Sequence, residues 1–128
     1  MRKDIIRPES EKVSLAIAQE QNTLGFYEWN AYLLNENDVT LTNVIINSFG
    51  EGLIDEEKRK TSTLRHLIQE LTPDSVAKIE TLQENVFVLD NIFKVTYFIE
   101  NTLYEINFTF KANTINEDNL LYISEIDK

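Results

Sequence analysis

The stretch Phe93-Lys-Val-Thr-Tyr-Phe-Ile-Glu-Asn-Thr-Leu-Tyr-Glu-Ile-Asn-Phe-Thr-Phe110 decides the fold class. Phe93, Val95, Tyr97 and Ile99 alternate with Lys94, Thr96 and Phe98, and Tyr104, Ile106, Phe108 and Phe110 alternate with Glu105, Asn107 and Thr109. A period of two belongs to a strand with one buried face, because successive side chains leave an extended chain on opposite sides. Glu100-Asn101-Thr102 supplies a turn between the two runs, so the stretch predicts an antiparallel hairpin.

The same period recurs toward the N-terminus. Val13, Leu15 and Ile17 alternate with Ser14 and Ala16, and Tyr27, Trp29, Ala31 and Leu33 alternate with Glu28, Asn30 and Tyr32. Asn35-Glu-Asn-Asp38 is dense in turn formers and predicts a hairpin into a third strand over 39–49. In that strand Thr40, Thr42, Val44 and Ile46 share one face, with Val39, Leu41 and Ile45 on the other. Apolar residues on both faces suit burial between layers. Gly50-Glu51-Gly52 is expected to end the strand, its glycines permitting positive φ.

Two periods compete over 61–84. Leu64, Leu67, Ile68 and Leu71 recur at helical steps, and Thr72-Pro73-Asp74 has the residues of an N-cap, a first-turn proline and a first-turn acid. Against this, Thr61-Ser-Thr opens with poor helix formers, and Pro73-Asp-Ser followed by a β-branched run also describes a turn into a strand. Strands are weighed slightly ahead. The expected fold is therefore all-β, an immunoglobulin-like antiparallel sandwich of about seven strands, with room for a short helix within 61–84. The alternative is an α+β arrangement with two helices against an antiparallel sheet.

The 128 residues suit a single domain with one core. Residues 1–11 read as an N-terminal arm, and 113–128 as an acidic tail with docking residues Leu120, Leu121, Ile123 and Ile126. No apolar run is long enough for a membrane span, and Arg7 interrupts any signal-peptide core, so no membrane association is expected. The chain has no cysteine, which removes disulfides and thiolate chemistry and agrees with a cytoplasmic location. Asp and Glu number 22 against 12 Lys and Arg, a net charge of −10 that repels nucleic acid.

Within that acidic chain, Lys58, Arg59, Lys60 and Arg65 form a basic island with the only histidine, His66, beside them. Converging N–H donors of one sign suit an anion or an acidic partner surface. No catalytic residue is assigned, because Ser48, Ser62 and Thr63 lie near His66 in sequence only and no nucleophile-elbow pattern surrounds any serine. No metal site or cofactor is expected. One histidine and no thiolate cannot build a zinc centre, and Asn35-Glu-Asn-Asp38 lacks the glycine and closing glutamate of a calcium loop. Asp55, Glu56 and Glu57 are adjacent instead of facing each other across a cleft.

Arg59-Lys-Thr-Ser-Thr-Leu-Arg-His66, Val95-Thr-Tyr-Phe98 and Phe108-Thr-Phe-Lys-Ala-Asn-Thr-Ile-Asn-Glu117 together resemble a set of small, acidic, uncharacterised bacterial proteins. The resemblance spans most of the chain and brings no catalytic residue with it. The expected function is that of a non-enzymatic module that binds a protein partner or a second copy of itself through a sheet edge or face. The alternative is a small-ligand or anion-binding domain, with or without enzymatic activity, using Arg59, Arg65 and His66.

Overall fold

Alternation in the sequence becomes eight strands in the computed structural model, which describes residues 12–115: β1 Val13–Gln21, β2 Tyr27–Asn35, β3 Leu41–Ile54, β4 Glu57–Lys60, β5 Leu64–Leu71, β6 Ser75–Leu82, β7 Asp90–Ile99 and β8 Thr102–Phe110. They form an all-β sandwich of two antiparallel sheets. The smaller has the order β1-β2-β6; the larger has the order β4-β3-β7-β8, with β5 also pairing β3. The arm 1–11 and the tail beyond Ile115 lie outside the described residues.

The core is assembled from the inward positions that alternation predicts. Val13, Leu15 and Ile17, Trp29, Ala31 and Leu33, and Phe93, Val95 and Tyr97 belong to one buried cluster, with Tyr104, Ile106, Phe108 and Phe110 packed against it. The expected hairpin forms as β7–β8, its register running from Asn91 opposite Phe110 to Ile99 opposite Thr102.

Four points of the sequence reading are decided by the structure. First, of the two readings of 61–84 the strands weighed ahead are the ones that form, as β5 and β6, joined by a turn at Thr72–Ser75 in which Asp74 has φ 53, and the helical alternative falls. Proline at the second position and a left-handed third residue describe a type II turn. Second, Gly50 and Gly52 do not end β3 and neither has positive φ. A Cβ on either would stand 3.3 Å from the Leu89 side chain, so they make room for that buried leucine while the strand runs on to Ile54. Third, Asp55 and Glu56, with φ 54 and 68, form the two-residue turn of a β3–β4 hairpin. The basic run is therefore a strand. Fourth, β2 and β3 are not a hairpin, because the segment between them crosses from one sheet to the other.

That crossing is tied by Asn35, which is 0% exposed. Its Nδ2 donates to the carbonyls of Val39, Leu71 and Thr72, while its Oδ1 accepts from the N–H and Nδ2 of Asn37. One side chain thus joins the β2–β3 crossing to the β5–β6 turn. Asn43, with φ 48, is the residue around which β3 shifts register, so Leu41, Val44 and Ile46 all face inward, not the Thr40-Thr42-Val44 set.

Candidate functional site

Among the described residues β4 and β5 together form one edge of the larger sheet, interrupted at Thr61–Thr63 and paired only with β3. No described strand pairs with their other side, where backbone N–H and C=O groups can receive a further strand. Residues directly opposite on antiparallel strands share a face, so register sorts the basic island. Lys58 is opposite Leu53, Lys60 opposite Glu51 and Arg65 opposite Asn47, all on the outer face. Lys94 of β7 joins them there, opposite Asn47 from the other side. The Lys60 and Lys94 ammonium groups lie 4.6 and 5.7 Å from the Phe49 ring centroid, and Arg65 Nε donates to Asn47 Oδ1 at 3.0 Å.

Arg59 and His66 point to the other face, opposite Gly52 and Ile46. Arg59 pairs with Glu57 at 3.0 Å. The structure therefore brings together Lys58, Lys60 and Arg65, adds Lys94, and keeps Arg59 and His66 away from them.

His66 instead meets a group that sequence proximity did not suggest. β6 is shifted against β2 between Ala31 and Tyr32, where Glu80 and Lys78 are the respective partners and Ile79 is the extra residue. A bulge re-aims the side chains beyond it. Glu80, which strict alternation from Lys78 would place outside, is turned inward opposite Ala31, and its side chain is only 10% exposed. Glu80 Oε1 accepts from Ser48 Oγ at 2.8 Å and lies 2.6 Å from His66 Nε2. The carboxylate thus stands between the hydroxyl and the imidazole. A nucleophile triad needs the imidazole in the middle, so these three residues pin the two sheets together and do not activate Ser48 through His66.

Beside this cluster β5 and β6 splay apart from their shared turn and leave a cleft of about 220 Å³. Leu64, Leu82, Val86 and Phe93 supply apolar walls, and Ser48, Glu80 and Asn91 supply polar atoms. Leu64 faces inward opposite Ser48 yet is 51% exposed, which marks the sandwich as open along this side.

A second polar cluster covers the outer face of the smaller sheet. Glu20 and Glu28 are directly opposite, a like-charged pair that would repel without donors between them. The amide of buried Asn30 donates to both carboxylates, the Tyr32 hydroxyl donates to Glu20, and Lys78 lies 3.7 Å from Glu28. Hydrogen bonds from Asn30 and then Asn22 hold the Glu28 carboxyl below the usual carboxylate range. Burial, followed by the hydrogen bond to Glu20, pushes the Tyr32 phenol up to about 12. Sequence reasoning passed over this cluster, although strand parity alone puts Glu20, Glu28, Asn30 and Tyr32 on one face. It also passed over the β1–β2 loop, where Asn22 Oδ1 accepts from the N–H groups of Leu24 and Phe26 and the loop presents Leu24, Phe26 and Tyr27 to solvent.

Comparison of the chain with protein-family models, with curated proteins and with solved structures gave no match. Among the described residues no group of three or more His, Asp or Glu side chains is placed to hold a metal ion, and no helix is long and apolar enough to cross a membrane.

Proposed function

We propose that this domain is a non-enzymatic interaction module that takes up an extended, acidic segment of a protein partner by strand addition to the free edge of β4–β5. One observation carries this reading: the open edge of the larger sheet is also where Lys58, Lys60 and Arg65 project, with Lys94 beside them, in a chain of net charge −10. Main-chain hydrogen bonds supply affinity in strand addition, and flanking side chains select the partner. An acidic segment gains attraction here and meets repulsion over the rest of the surface. Two copies of this chain paired edge to edge would bring the same cations together, so the edge favours a partner over self-association. A cytoplasmic setting is supported by the cysteine-free composition.

The alternative use of Arg59, Arg65 and His66 as one anion site finds no support, because register places Arg65 on the opposite face from the other two. The test is a capture from source lysate with the native chain and with a variant carrying Gln at Lys58, Arg59, Lys60 and Arg65. The captured complex is then mapped by amide hydrogen exchange. A partner held only by the native chain, with new protection over 57–71, is the expected result. A partner that protects other strands, or binds both chains equally, overturns the assignment.

A further inference from the structure

We infer that the cleft between β5 and β6 is a binding site for a small primary amine, an ammonium group carried on a compact apolar body. This site is independent of strand addition, since it uses none of the basic side chains on the edge.

The polar side-chain atoms buried in this cleft are acceptors, while the donor-bearing lining residues Ser62, Thr81 and Gln83 are exposed. Ser48 spends its single hydroxyl hydrogen on Glu80 Oε1, leaving Oγ with lone pairs only. Asn91 donates from Nδ2 to the carbonyls of Val86 and Leu89, so what remains is its Oδ1. No donor from a described residue reaches that oxygen or Glu80 Oε2. Thr61 Oγ1, also on the lining, accepts from Gly50 N–H and donates to the Ser62 carbonyl, so it offers no hydrogen either.

A buried set of acceptors with one carboxylate is matched by a group that has donors only. An ammonium carries three N–H donors, one positive charge and no acceptor. An anion finds no buried side-chain donor here and faces the Glu80 side chain, which is 10% exposed and formally negative. The walls fix the rest of the ligand. Leu64, Leu82, Val86 and Phe93 are apolar, and about 220 Å³ lies below the roughly 300 Å³ at which pockets for drug-sized ligands begin. A single ring or a short branched chain fits that space. The entrance lies where the edge strand is broken at Thr61–Thr63, beside half-exposed Leu64.

The test is an NMR titration of backbone amides with four probes of one shape: benzylamine, benzyl alcohol, benzoate and benzyltrimethylammonium. Benzylamine is expected to shift the amides of Ser48, Leu64, Glu80 and Asn91. It should bind at least roughly tenfold more tightly than benzyl alcohol, because charge-assisted hydrogen bonds are about twice as strong as neutral ones. Benzyltrimethylammonium has the charge without the donors and should bind more weakly, and benzoate should not bind. Glu80→Gln should remove the preference for the amine over the alcohol. Leu64→Trp narrows the entrance without touching the Glu80 hydrogen bonds and should weaken amine and alcohol alike, so it decides the matter if Glu80→Gln fails to fold. The inference is overturned if benzoate or benzyltrimethylammonium binds as well as benzylamine. It is equally overturned if the amine shifts map away from the cleft, if no probe binds, or if Leu64→Trp leaves amine affinity unchanged.

Discussion

Replacing Asn35 with Leu should be among the most damaging single changes on the polar side of this fold. Asn35 is 0% exposed, and its amide reaches three carbonyls on two connections while its oxygen takes two hydrogen bonds from Asn37, itself 3% exposed. Leucine preserves volume and deletes all five contacts. Two amide hydrogens and two accepted bonds at about 1 kcal/mol each, plus about 1–3 kcal/mol for leaving Asn37 unsatisfied, sum to about 5–7 kcal/mol. Burial of the leucine side chain returns about 2 kcal/mol. The net loss is about 3–5 kcal/mol, a large part of the roughly 5–15 kcal/mol that holds a domain of this kind together. Urea unfolding followed by the fluorescence of Trp29, the only tryptophan and 6% exposed, gives the readout. With a slope of about 1.5 kcal/mol/M, the midpoint should fall by about 2–3 M. In a double-mutant cycle with Asn37→Ala the two losses should be less than additive, because each removes the need for the other. A midpoint shift below about 0.5 M at unchanged slope, or strict additivity, would refute the view that Asn35 ties the two connections.

The same geometry sets three further outcomes. Tyr32 has a folded pKa raised to about 12, so its contribution to stability is complete below the ordinary phenol value near 10 and is lost as pH rises toward 12; the side chain is half-buried, and screening holds that contribution to no more than about 2 kcal/mol. Phenolate absorbance should show one tyrosine ionising late, and Tyr32→Phe should abolish that late step; phenols that all ionise together near 10 would contradict it. Asp55 and Glu56 both occupy the left-handed region, so Asp55→Asn with Glu56→Gly should raise the thermal midpoint through relief of about 1–2 kcal/mol, and an unchanged midpoint would argue against the two-residue turn. Gly52→Val places a Cβ 3.3 Å from Leu89 Cδ2 and should cost about 1–3 kcal/mol in chemical denaturation; the cost should shrink in a Leu89→Ala background, and a cost independent of Leu89 would point to another cause.

The candidate site was partly legible. The run Lys58-Arg-Lys and nearby Arg65 stand out in any acidic chain, but no strand is read over 57–60, so the alternation that sends Lys58 and Lys60 one way and Arg59 the other is missed. Recognition of Asp55-Glu56 as a turn was the missing step, and neither residue is the Asn or Gly that usually marks one. The acceptor cluster was not legible at all. Ser48, His66 and Glu80 are separated by 18 and 14 positions of chain, and Glu80 faces inward only because β6 carries a bulge at Ile79.

What the sequence by itself determined was the β class, the hairpin over 93–110 and the inward residues of β1, β2, β7 and β8, save Tyr27, which is exposed. These come from a two-residue period, a property of one strand that needs no knowledge of its neighbours. What only the tertiary structure decided was how strands are paired and where regularity breaks. Leu64, Leu67, Ile68 and Leu71 recur at helical steps, yet β3 settles the matter by supplying hydrogen bonds to β5. Gly50 and Gly52 look like a strand's end until Leu89, far along the chain, is seen packed on them. Asn35 looks like one more turn residue until the carbonyls of Leu71 and Thr72 arrive beside it. In each case the deciding partner is distant in sequence, and a local pattern carries no information about which distant groups the packed chain will bring within hydrogen-bonding or van der Waals reach.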